Sequence, residues 1–435
     1  MSRWLHRFNT VAEYTTARNN DYLEPWVSYT EDNAKVNYNK SEYEKLLETP
    51  LTFEITGGGN IVWKASDTAL TKTIEYSKDN GTTWTSITST TDGIPIDVES
   101  GNTVQLRGNN TAYGTSSSYN TFSGSTAQFK VKGNIMSLIN PTNFSTLTTL
   151  ESNGYYAFRH LFYKCTGLTD ASKLLLPATT LADYCYYYMF RDCTGLTTAP
   201  SVLPATTLAS GCYMYMFRGC TNLTTAPELP ATTLANYCCS SMFWGCTSLR
   251  TAPELPATTL AYGCYNQMFY GCTALTSVPA LSATTLADYC CSSMFQNCAS
   301  LTAIPSNYLL ATALTVECYV SMFRNCTSLV TTPELPATTL ANSCYDSMFQ
   351  GCTSLTTTPE LSATTLVTQC YKSMFQGCTN LNYIKCLATD ISATDCTANW
   401  VNGVAASGTF VKAASMTGWT TGTRGIPTGW TRVDA

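Results

Sequence analysis

A nine-residue stretch governs what this chain can fold into. It reads CYYYMFRDC over 185–193 and returns as CYMYMFRGC from Cys212, CCSSMFWGC from Cys238 and CYNQMFYGC from Cys264. CCSSMFQNC follows from Cys290, CYVSMFRNC from Cys318, CYDSMFQGC from Cys344 and CYKSMFQGC from Cys370. The Met-Phe pair thus begins at Met189, Met216, Met242, Met268, Met294, Met322, Met348 and Met374, a spacing of 26 with small slips. His160, Leu161 and Phe162 with Cys165 read as a worn first copy. Units repeating at such a period bury their apolar faces only against one another, which predicts a solenoid and argues against an enzyme.

Composition narrows the partners. Charged residues make up 12% of the 435, with a net charge of −5, so neither nucleic acid nor a membrane surface is attracted. No apolar run reaches the roughly 18 residues of a membrane span, and the opening MSRWLHRFNTVAEYTTARNND holds no signal-peptide core. The expectation is a chain made and kept in a cytoplasm, or exported without a standard signal, with its 21 cysteines reduced.

In chain order, residues 1–48 read as a polar arm whose scattered aromatics dock on something, and 49–135 as a small Ig-like β-sandwich. The sandwich strands are expected at LTFEI, IVWKA, TIEYS, WTSI, IPIDV, TVQL and AQFKV. Ser77 to Trp84 fits the S-x-D-x-G-x-x-W pattern of the Asp-box of sialidase propellers; occurring once, it reads as a hairpin turn over Trp84. Residues 136–153 read as a linker and 154–395 as about nine 26-residue coils. In 396–435, Trp400, Phe410, Trp419 and Trp430 are expected to close the last coil as a cap.

Taken as about two helical turns, the motif puts Cys185, Tyr186, Met189, Phe190 and Cys193 on one apolar face, with Tyr187 and Arg191 outward. The intervening LTTxPELPATTL, broken by prolines, reads as short strands and turns stacked into a narrow parallel sheet. The expected fold class is therefore an α+β repeat solenoid, a rod of roughly 40 Å, preceded by the all-β sandwich and the arm.

An aromatic-x-Gly-Cys-x-x-Leu segment, then a strand ending in Pro, then a second short strand, resembles the BspA-like (Treponema-type) leucine-rich repeat over about residues 154–395. The motif recurs eight times; Met replaces the usual Ala before Phe, and a second Cys opens each copy. The C-terminal NWVNGVAASGTFVK and GIPTGW resemble the ends of such proteins in gut Bacteroides and their phages, and the front half is similar to phage tail or adhesin proteins of that group.

Cys185, Cys193, Cys212, Cys220, Cys238, Cys246, Cys264 and Cys272 are expected to form a reduced structural ladder, since free Cys is a compact hydrophobe and the spacing suits neither zinc nor an in-copy disulfide. With only His6 and His160 present, no catalytic triad, phosphate loop, metal site or cofactor site assembles. Glu228, Glu254, Glu334 and Glu360 recur at one register and read as a surface row, with a weak cation site between Glu228 and Glu254 as the alternative. The binding surface is expected at the positions that vary, above all Tyr187, Arg191, Met214, Arg218, Trp244, Tyr270 and Arg324, enlarged by exposed Tyr184, Tyr188, Tyr215 and Tyr237. The functional expectation is a non-enzymatic virion protein, a phage tail or fibre component made in the host cytoplasm. Residues 1–48 would meet other virion proteins, the repeats a host surface protein or glycan, and a homo-trimer is the analogy with fibres. The alternative is a BspA-like adhesin on a bacterial surface; a glycan-processing enzyme ranks last.

Overall fold

The structure, a computed structural model, describes residues 40–150 and 154–435. The expected arm lies outside the described residues up to residue 39. Its last part forms helix α1 (Lys40–Glu48), which sits on the sheet behind it: Leu46 is buried against Leu175, and Lys173 Nζ meets Glu42 Oε1 at 2.8 Å.

The alternation of apolar and polar residues after Leu51 produces strands at all seven expected places. They are β1 (Leu51–Gly57), β2 (Gly59–Ala65), β3 (Thr73–Ser77), β4 (Thr85–Thr88), β5 (Ile94–Val98), β6 (Thr103–Gly108) and β8 (Gln128–Asn134). The two-residue β7 (Asn120–Thr121) was not foreseen. In β2, Ile61, Trp63 and Ala65 point inward while Asn60, Val62 and Lys64 do not, the period of two that a half-buried strand requires. One sheet runs β4-β3-β6-β1-β8 and continues into β9 (Leu168–Leu175), and a smaller one runs β5-β2-β7. Phe53 of β1 meets Phe122 at 4.9 Å and stacks on Phe129 at 4.8 Å, and Trp63 meets Phe122 at 4.8 Å.

Residues 136–150, the described part of the expected linker 136–153, do not behave as one. Met136, Ser137 and Leu138 are buried in a 3-10 turn, Phe144 and Leu150 join the same core, and Asn134 caps the turn by accepting from the Met136 amide. The sixth strand of the larger sheet, β9 (Leu168–Leu175), already belongs to the first coil, and it pairs parallel with β8. The repeats therefore grow out of the β-sheet domain. From β9 the parallel bridges continue as Asp170 to Thr198, Thr198 to Thr225 and Thr225 to Thr251.

The motif itself is not a helix. Every fourth residue adopts left-handed backbone, as at Tyr184 (φ 55°), Tyr188 (58°) and Asp192 (59°), and again at Gly211, Tyr215 and Gly219; the triplet recurs through to Asp395, Asn399 and Gly403. An α-helix admits no such residue, whereas a β-turn of the kind with positive φ at its third position demands one. Amides accordingly alternate in their use. Tyr187, Met189 and Arg191 donate three residues back, to Tyr184, Tyr186 and Tyr188. Tyr186, Tyr188 and Phe190 donate to Cys212, Met214 and Met216 of the next coil. Each motif is thus a run of tight turns that is hydrogen-bonded to its successor as a strand would be.

Counting the opening Cys as position 1, positions 1, 2, 5, 6 and 9 are buried and positions 3, 4, 7 and 8 are partly exposed in Cys185–Cys193, while small serines at positions 3 and 4 of other copies, such as Ser240, Ser241, Ser292 and Ser293, are buried too. Position 6 makes a column of stacked rings from Phe162 through Phe190, Phe217, Phe243, Phe269, Phe295, Phe323 and Phe349 to Phe375, at 5.2–5.9 Å and 2–12°. At one end Phe53 and Phe122 of the β-sheet domain cover Phe162 at 6.0 and 5.8 Å. At the other, Trp400 stacks on Tyr371, Trp419 stacks on Trp400, and Phe410 meets Trp419 edge-on. There β10 (Tyr383–Cys386), β11 (Thr409–Lys412) and β12 (Thr431–Asp434) continue the parallel column, and Trp430 donates to the Ala405 carbonyl.

Candidate functional site: the aromatic and arginine band of the first coils

All 21 cysteines are buried as free thiols. Their role is more specific than filling space. The position 9 thiol of each coil reaches the carbonyl of the position 6 Phe one coil back: Cys193 to Phe162 (2.8 Å), Cys220 to Phe190 (3.0 Å), Cys246 to Phe217 (3.1 Å) and Cys272 to Phe243 (3.2 Å). The series runs on to Cys378 and Phe349 (3.0 Å). The position 1 thiols of Cys212 and Cys264 face the carbonyls of Cys238 and Cys290 only at 3.9 Å, so they act mainly as compact packing. Burial pushes the Cys298 and Cys386 thiols up to about 12. Cys185 is raised by burial as well.

With the core columns nearly uniform, Cys239 and Cys291 alone replacing Tyr at position 2 of the clean copies, most differences along the stack fall on positions 3, 4, 7 and 8. In the first coils these are large. Tyr188 stacks on Tyr215 at 4.7 Å and lies 4.8 Å from His160, which in turn stacks on Tyr119 of the β-sheet domain at 4.1 Å. Arg191 lies over Tyr188 at 4.8 Å and Arg218 over Trp244 at 4.4 Å, and Trp244 packs on Tyr270 at 4.7 Å. Arg159 sits over Tyr187 at 5.3 Å. Five of the expected residues, Tyr187, Arg191, Arg218, Trp244 and Tyr270, therefore form one band across adjacent coils, and Met214 takes the position of Tyr187 in the next coil. Arg324 occupies the same column further along, beyond Gln296, where no aromatic column continues. Tyr184, Tyr188, Tyr215 and Tyr237, expected to be exposed, are half-buried, because each leans on its neighbours. Sequence reasoning missed Tyr119, Arg159 and Tyr163: the first comes from another domain, and the others precede the first clean copy of the motif.

His160 is buried in this band, and its pKa falls to about 3, through desolvation first and the charges of Arg159 and Arg191 second. It is neutral at physiological pH and stacks as an aromatic ring. Nothing nearby makes it a base: its Nδ1 accepts from Arg159 Nε at 3.2 Å. Among the described residues no three His, Cys, Asp or Glu side chains converge. Of the expected Glu row, Glu360 pairs with Lys385 at 2.7 Å. Asp79 of the Asp-box ties the β3–β4 hairpin instead of facing a cleft. It accepts from Ser77 Oγ (2.7 Å), the Thr83 amide (2.8 Å) and Thr83 Oγ1 (2.6 Å), and the Thr83 bonds lead in lowering its pKa to about 2. Trp84 donates to the Gly81 carbonyl at 3.0 Å under the turn.

The model of the BspA type leucine-rich repeat region matches residues 142–275, 186–313 and 319–394, together more than half of the chain. The chain belongs to the BspA-type leucine-rich repeat family. Among solved structures it is similar to a leucine-rich repeat protein from Bacteroides ovatus ATCC 8483, with 18% identity over 66% of this chain and 83% of that one, at a TM-score of 0.36. No curated protein matches in sequence. In this BspA-type protein the matched segment begins before the first copy of the motif and includes every coil that carries the band.

Proposed function

We propose that this BspA-type protein is a non-catalytic binding protein, displayed as an adhesin at a bacterial surface, whose repeat solenoid holds a surface protein or glycan on the outward band of its first coils. One observation carries the reading. The buried columns hold Cys, Met and Phe, with Tyr or Cys at position 2, from end to end, while the aromatic residues at positions 3, 4 and 7 are confined to the first four copies and give way to Ser, Gln and single charged residues such as Arg324 and Lys372. Packing does not require that gradient, and Tyr, Trp and Arg are the residues that dominate binding energy at interfaces. The Ig-like sandwich then serves as base and first cap of the stack. The adhesin reading displaces the virion one because the family match supports it, while no observation of fold or band bears on a phage particle.

Alanine at Trp244, Tyr270 and Arg218 together should remove binding of the labelled full chain to host cells. These three side chains also support one another, so a melting point lower by a few degrees is expected, with the fold retained at the assay temperature. Undiminished binding by the folded triple variant would sink the reading.

A further inference from the structure

The band is cationic on an acidic chain. Arg159, Lys164, Arg191 and Arg218 face one carboxylate there, Asp192, while the whole chain carries a net charge of −5. The guanidinium groups of Arg191 and Arg218 are held over aromatic rings, yet neither donates a hydrogen bond among the described residues; Asp192 Oδ2 approaches Arg191 Nε at 3.3 Å without bonding geometry. Two guanidinium groups seated over aromatic rings thus lie one coil apart, a backbone step of about 4.8 Å.

The rings tell against a ligand that stacks. Tyr188 already has Arg191, Tyr215 and His160 around it, and Trp244 has Arg218 and Tyr270. A single-stranded nucleic acid needs open ring faces for its bases. What the band offers outward is guanidinium N–H groups, phenol hydroxyls and ring edges, which suit a ligand rich in oxygen and negative charge. An extended acidic peptide presents like-facing side chains about 6.8 Å apart, out of step with the coils. A chain of pyranose rings, each about as long as one coil is high, stays in step.

We propose that the band binds an anionic polysaccharide, with carboxylate or sulfate groups on the forks of Arg191 and Arg218 and sugar hydroxyls on the tyrosines. This rests on the binding role given above to the same surface.

The test is titration of the full chain with polygalacturonate, heparin, uncharged dextran and polyglutamate, alongside the R191Q/R218Q double variant and Arg218→Lys. Polygalacturonate, heparin or both should bind, and which one does assigns the acid group; dextran should not. The double variant should lose roughly tenfold or more in affinity, and Arg218→Lys less, because it keeps the charge but not the fork. Failure of both acidic glycans, indifference to the double variant, or equal binding of polyglutamate would overturn the proposal. If acidic glycans neither bind nor compete while the alanine triple variant still loses cell binding, the band stands and only its ligand falls.

Discussion

At the scale of single residues, the cysteines show how little a residue type reveals without its partner. Their spacing excludes a bond within one motif and their burial suits a small hydrophobe, and both points are legible in the chain. That position 9 needs a thiol in particular is not, because its acceptor is a carbonyl one coil earlier. The Phe190 carbonyl, for instance, takes the amide of Cys193 at 3.1 Å and the thiol of Cys220 at 3.0 Å, so both of its lone pairs are used. Sealed in this way and held protonated, these thiols lack the thiolate that reacts. Native protein should therefore resist a thiol reagent near neutral pH, whereas denatured protein should titrate close to 21 free thiols. A denatured count showing most of them paired would contradict the free ladder.

At the scale of the element, the turn-run replaces the expected helix, and a nine-residue window explains why. A period of 3.6 and one of 4 place the same apolar residues together over so short a stretch, so Cys185, Met189 and Cys193 coincide under both. The missed signal was propensity. Apart from Met and Arg, CYYYMFRDC holds poor helix formers, and position 8 is Asp, Asn or Gly throughout, the residues most tolerant of positive φ. Position 4 carries Tyr, Ser or Gln and never a β-branched residue in the eight clean copies, which the same constraint explains. Position 7 nevertheless stays partly exposed in every clean copy and position 3 in six of the eight, Ser240 and Ser292 being buried, because two-in, two-out burial leaves both positions outward as the wheel did. Glycine substitution separates the conformational cost from the steric one. A Cβ on Gly245 (φ 73°) would meet nothing within 4 Å, whereas one on Gly219 (φ 75°) would come 2.3 Å from Asp192 Oδ1. Gly245→Ala should cost about 1 kcal/mol of unfolding free energy and Gly219→Ala clearly more. Equal costs from denaturant unfolding would show that crowding at Asp192 is not felt.

At the scale of the whole molecule, one buried cluster reaches from Leu51 of β1 to Trp430, so the β-sheet domain and the tryptophan-rich end are the two lids of a single stack. The C-terminal lid was legible, since a repeat array must cover its last apolar face. The first was not: nothing in the polar spacing of 136–153 announces that Asn134 and Phe144 lock together, with the side-chain Nδ2 of Asn134 donating to the Phe144 carbonyl at 3.0 Å. The alternating amides of the turn-runs have a mechanical side. Their bonds to the next coil point along the stack, so a pull on its two ends loads one coil interface after another instead of shearing many bonds at once. Coils should peel off singly, each releasing 26 residues, or roughly 85 Å of extended chain. Single-molecule stretching should then show a sawtooth of low, evenly spaced steps, and one tall rupture of the whole array would contradict it. A stack built this way yields gradually under load and can close again coil by coil, as a spring with many clicks does.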